Sequence, residues 1–154
     1  MRPGTGRIPV NKGTLDPRFT YPMRSRGKSF SYYMMPSAFW SGIMAVLLFV
    51  PSSGYPSVSL SGTDLIIHAG LFGIWGFLTV QGFYKQAYLP VLRFYRGFAV
   101  LIIGVLWAVA LEAVQGFLLW ERSAGLEDYV ADIVGVLLGM VIFERLVRLS
   151  RQRQ

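Results

Sequence analysis

Seven side chains carry groups that could do chemistry: Asp64, His68, Glu112, Gln115, Arg122, Asp128 and Asp132. Their spacing is regular. Asp64 and His68 are four residues apart, as are Asp128 and Asp132, while Glu112 and Gln115 are three apart. On a helix each such pair shares one face. His68 is the only histidine of the chain, and an acid beside an imidazole is what general acid–base chemistry uses. The expected roles are Glu112, His68 and Asp128 as acid/base groups. Asp64, Gln115, Arg122 and Asp132 would contact a ligand, and Arg122 suits an anionic head group such as phosphate. The carboxylate excess would also attract a cation or an amine.

The elements that must position these groups are apolar. Hydrophobic residues make up 53% of the 154-residue chain and charged residues 15%. They fall in four blocks, at 34–50, 64–83, 97–119 and 129–147. Each is near the length needed to cross about 30 Å of hydrocarbon. Tyr32, Tyr33 and Trp40 on the first block, and Phe83 and Tyr84 on the second, suit the membrane–water boundary. The expectation is an all-α polytopic membrane protein with four transmembrane helices.

Charge sets the orientation. The formal net charge is +7, and its distribution alternates between loops. Residues 1–33 hold Arg2, Arg7, Lys12, Arg18, Arg24, Arg26 and Lys28 against Asp16 alone. Lys85, Arg93 and Arg96 lie between the second and third blocks, and Arg145, Arg148, Arg151 and Arg153 follow the fourth. Arg122 is the sole basic residue of the other two linkers. Positive charge faces the cytoplasm, so both termini are expected there. The chain divides into a basic flexible arm at 1–33, a membrane domain at 34–147 and a basic tail at 148–154. Basic surface beside a membrane serves topology and anionic-lipid contact, and nucleic-acid binding is not expected. The first span is expected to remain as an anchor, since no small-residue cleavage site follows it.

On this topology every intramembrane ionisable residue falls in the outer half. Such groups face the bundle interior or a wet cavity and pair with one another. The expectation is one polar pocket, built from three helices and a loop and open to the outer face. Gly135 and Gly139, in G-x-x-x-G spacing, would let two helices approach closely.

Simpler roles compete with these. A buried polar network can fix helix register without chemistry, and His68 can be a hydrogen-bonded structural residue. The ligand spacing matches no specific metal pattern, so no metal is assigned. Small residues around the histidine, in HAGLFGIWGF, fit ligation of a haem or chlorophyll-type pigment by His68. Asp64 one turn earlier makes that alternative less attractive. With no cysteine, thiolate catalysis, Fe–S clusters and disulfides are excluded.

The order of these motifs resembles the VanZ-like membrane proteins. Asp64 and His68 enter one helix, Glu112 and Gln115 close the next, and Arg122 follows. Asp128, Ala131, Asp132 and Gly135 then open the last helix, with Gly139 beyond. The resemblance covers about residues 36–147. Where the family often has Lys this chain has Leu65, and where it usually has Asn this chain has Asp132. Both changes make the pocket more acidic. The resemblance implies a bacterial inner-membrane protein that binds or acts on a cell-envelope or lipid-linked component at the outer face. It attaches no firm reaction, so whether the chain is an enzyme stays open. The alternative is a small accessory subunit of a larger membrane complex, of photosynthetic or respiratory type. There the polar cluster is glue, while the arm and the aromatic surfaces bind protein partners.

Overall fold

The computed structural model describes residues 28–49, 62–118 and 126–153, and these are helical with short connections. The helices are α1 (Phe30–Phe49), α2 (Thr63–Lys85), α3 (Pro90–Phe94), α4 (Arg96–Leu118) and α5 (Leu126–Gln152). Some boundaries differ from expectation. Helix α1 starts at Phe30, inside the stretch read as the arm; residues 1–27 lie outside the described residues. The linker between the second and third apolar blocks holds a helix, α3, which Pro90 opens at a position where the missing N–H costs nothing. The tail is not a separate segment either, because α5 runs through it to Gln152.

Helix α2 and the Arg96–Val114 part of α4 are long and apolar enough to cross a membrane. In α5 the apolar run is interrupted by Asp132, Glu144 and Arg145. All four long helices still carry exposed apolar side chains: Phe39 and Val46 on α1, Ile66 and Ile74 on α2, Phe98 and Leu106 on α4, Val130 and Leu138 on α5. Apolar surface on that scale marks contact with membrane or with partner proteins.

Helices α2 and α5 run parallel and touch backbone to backbone. A Cβ placed on Gly135 would fall on the carbonyl oxygen of Ala69, and one on Gly139 on that of Gly73. Further along the same stripe Phe77 and Phe143 meet edge to face, with ring centroids 5.7 Å apart. Backbones this close gain direct van der Waals contact along the whole stripe. Helix α4 runs antiparallel to this pair. Gly104 receives Trp75 and Val136, and the Arg96 guanidinium pairs with Glu144 of α5 at 2.7 Å.

Two indoles fasten α1. Trp40 Nε1 donates to the Leu71 carbonyl at 2.9 Å. Trp75 Nε1 donates to Ser41 Oγ at 2.9 Å, and the Ser41 hydroxyl donates on to the Ser37 carbonyl. The core between the four long helices holds Met44, Phe72, Trp75, Val80, Val100 and Val136.

Candidate functional site

The polar residues gather where α2 and α5 begin and α4 ends. Helix α2 starts after Gly62, whose φ of 114° is a left-handed conformation that glycine adopts without strain. Asp64 follows in the first turn, where the positive end of the helix dipole favours an acid. One turn later His68 points into the bundle and is 1% exposed. The Gly135–Ala69 contact sets the register, and that register puts Asp132 of α5 opposite His68. The result is a buried pair, with His68 Nδ1 3.0 Å from Asp132 Oδ1. With Asp132 ionised, Nδ1 carries the hydrogen and donates it. Glu112 of α4, 3% exposed, completes the arrangement with Oε1 4.0 Å from the same nitrogen.

Two further acids lie on the surface side. Asp64 is exposed and Asp128 half-buried. Asp64, His68 and Asp128 each bring a donor atom within 4.8 Å of the others, and so do His68, Glu112 and Asp132. His68 therefore belongs to both sets and links an accessible carboxylate pair to a buried one. Either set offers nitrogen and oxygen donors that a metal ion could share.

Electrostatics makes the buried set costly if incomplete. Two carboxylates in a dry interior need a proton, a cation or hydrogen bonds to offset lost hydration. A carboxylate on Nδ1 also fixes the imidazole's orientation and tautomer. The chemistry available is thus acid–base exchange through the ring, from surface to interior.

Beside this cluster an apolar cleft of about 500 Å³ opens between the first turns of α2 and α5. Leu65, Ile66, Ala69, Val130, Ala131 and Val134 line it, together with Leu126 and Glu127. The cleft was not anticipated from sequence. Its only sequence signal is the run of apolar residues between Asp64 and His68 and after Asp128.

Of the seven residues singled out, Asp64, His68, Glu112, Asp128 and Asp132 come together. Gln115 belongs to α4, but its side chain lies outside the described residues, as does Arg122 entirely. Gly135 and Gly139 form the α2–α5 contact beneath the cluster. Comparison with known proteins finds no matching family model, no matching curated protein and no matching solved structure.

Proposed function

We propose that this chain is a four-span bacterial inner-membrane protein with both termini in the cytoplasm and a polar site at its outer face. The site binds, and exchanges protons with, a lipid-linked component of the cell envelope. One observation carries the reading: His68 lies between an accessible carboxylate pair and a buried one, drawn from three helices. Glue alone would need only the buried pair. The neighbouring cleft supports the lipid-linked part, since its apolar lining suits an acyl or prenyl chain. Leu65, where VanZ-like proteins often carry Lys, contributes to that lining. In this reading α1 and α5 join α2 and α4 as spans, with the charges of α5 turned to the bundle or lying near the membrane surfaces.

The near-complete burial of His68, Glu112 and Asp132 favours a second reading, that of an accessory subunit whose polar cluster only holds the helices together. A pigment on His68 is not proposed. No observation among the described residues favours a pigment over the acid–base cluster that His68 joins.

Purification of the full chain in mild detergent, with bound lipids identified by mass spectrometry, separates these readings. A functional site predicts a co-purified envelope lipid that is lost in Asp128→Asn and Glu112→Gln. If both variants fold and keep the same lipids, the site is not where the lipid binds. Migration only within a larger complex, with no lipid dependent on Asp128, supports the subunit reading.

A further inference from the structure

We propose that the opposite end of the bundle, around Tyr84, binds the phosphate head group of an anionic phospholipid. Tyr84 lies in the last turns of α2, sixteen residues beyond His68 (84 − 68), or about 24 Å along the helix axis. Three arginines from three elements converge on it. The Arg93 guanidinium of α3 is 5.5 Å from the ring centroid and that of Arg96, at the start of α4, is 5.4 Å away. Arg151, near the end of α5, donates from Nη2 to the Tyr84 hydroxyl at 3.1 Å.

The ring's π face attracts Arg93 and Arg96 and its hydroxyl accepts from Arg151, yet the phenol brings no charge to offset these cations. Glu144, paired with Arg96 at 2.7 Å, is the sole carboxylate among the described residues at this end. Lys85, Arg145, Arg148, Arg151 and Arg153 add to the positive charge of this end. Like charges held this close repel, and a bound anion removes that cost. Planar guanidinium forks match the oxygens of a phosphate, which makes phosphate the fitting anion.

The surroundings point to a lipid rather than a free phosphate. Leu89, Val91, Phe94, Tyr95 and Phe98 are all exposed beside the arginines. A ligand that fits both surfaces is an amphiphile, with its phosphate on the arginines and its chains along α3 and the start of α4. Gln86 holds this platform in place. Its side chain accepts from Leu89 N and donates to Leu89 O, both at 2.8 Å, which closes the turn ahead of Pro90.

The test is native mass spectrometry of the full chain in mild detergent, titrated with dioleoyl-phosphatidylglycerol, dioleoyl-phosphatidylcholine and glycerol 3-phosphate. Phosphatidylglycerol should be retained about tenfold more strongly than phosphatidylcholine, because both offer the same phosphate but the choline cation of the second is repelled by the arginines. Glycerol 3-phosphate should not displace it. The Arg93→Gln/Arg151→Gln variant should bring phosphatidylglycerol down to the phosphatidylcholine level, while Arg96 and Glu144 stay intact to keep the fold. Equal retention of the two lipids by the wild type overturns the proposal. So does full preference in the variant, or displacement by glycerol 3-phosphate, which would mean a free-phosphate site. If the double variant does not fold, the wild-type comparison and Arg151→Gln alone decide.

Discussion

Replacing Gly139 by Ala tests whether backbone contact between α2 and α5 sets the geometry of the polar cluster. The added methyl would fall on the Gly73 carbonyl oxygen and lie 2.8 Å from the Phe77 amide nitrogen. Both are backbone atoms, so no side chain can swing aside. Ordinary contact begins near 3.4 Å, so α5 must withdraw by at least 0.6 Å there (3.4 − 2.8). Overpacking of this kind costs about 1–3 kcal/mol. Against it, Ala in a helix is favoured over Gly by up to about 1 kcal/mol. With the full helix gain set against it, the net expectation is a loss of up to about 2 kcal/mol. Gly70→Ala is the control. Nothing lies within 4 Å of its Cβ position, so it should be neutral or stabilising by up to about 1 kcal/mol. The opposite signs are the test, read as thermal unfolding in detergent. Gly135→Ala, whose methyl would meet the Ala69 carbonyl, acts one turn from Asp132. The same withdrawal there would stretch the 3.0 Å His68–Asp132 contact to about 3.6 Å, past a hydrogen bond. With only one histidine in the chain, ¹⁵N-histidine labelling gives a single imidazole to follow by NMR. If Gly139→Ala melts no lower than its parent and Gly135→Ala leaves the imidazole signals in place, the reasoning is wrong.

Other expectations follow from named contacts. Asp132→Leu leaves the buried imidazole without its acceptor and should cost about 1–3 kcal/mol. A double-mutant cycle with His68→Gln should show a coupling of about 0.5–3 kcal/mol, and zero coupling would refute the pair. Trp75→Phe removes the donor to Ser41 and should cost about 0.5–1.5 kcal/mol in thermal unfolding. Ser41→Ala should then cost less in that background than in the wild type; equal costs would argue against the bond. Glu144→Gln breaks a pair whose side chains are 27% and 34% exposed. Solvent screening holds its effect to about 1 kcal/mol or less, and the difference between variant and wild type should shrink further as salt is raised.

The sequence made some of this legible because one-dimensional spacing carries it. Long apolar blocks announced α2 and α4, and the four-residue intervals Asp64–His68 and Asp128–Asp132 placed each pair on one face. The glycines at 135 and 139 signalled a close helix contact but not its partner. What spacing lacks is register between helices. Spacing grouped Glu112 and Asp128 with His68 as acid/base groups and left Asp132 as a ligand contact, and the Ala69–Gly135 contact puts Asp132 beside Nδ1. The arginines after α2 were counted for topology, and that count conceals their convergence on one phenol ring, which needs α3, α4 and α5 together. Pro90 falls in a stretch read only as a basic linker, and there it begins a five-residue helix. The indole of Trp75 fell in a segment read for its histidine. Its true partner, Ser41, sits on another helix, and a serine pair at 37 and 41 was its only trace in the sequence.

The backbone contact between α2 and α5 at Gly135 and Gly139 also has a mechanical meaning. Helices that meet through interdigitated side chains can slide by changing rotamers. Here the carbonyls of Ala69 and Gly73 face glycine Cα atoms, and a shift by one residue would drive a side chain into backbone. The two helices must therefore travel as a single spindle. Helix α5 alone has 27 residues, about 40 Å at 1.5 Å per residue, with carboxylates at one tip and guanidiniums at the other. The compliant joints lie elsewhere, where α1 and α4 lean on the spindle through indoles, a serine hydroxyl and one half-exposed ion pair.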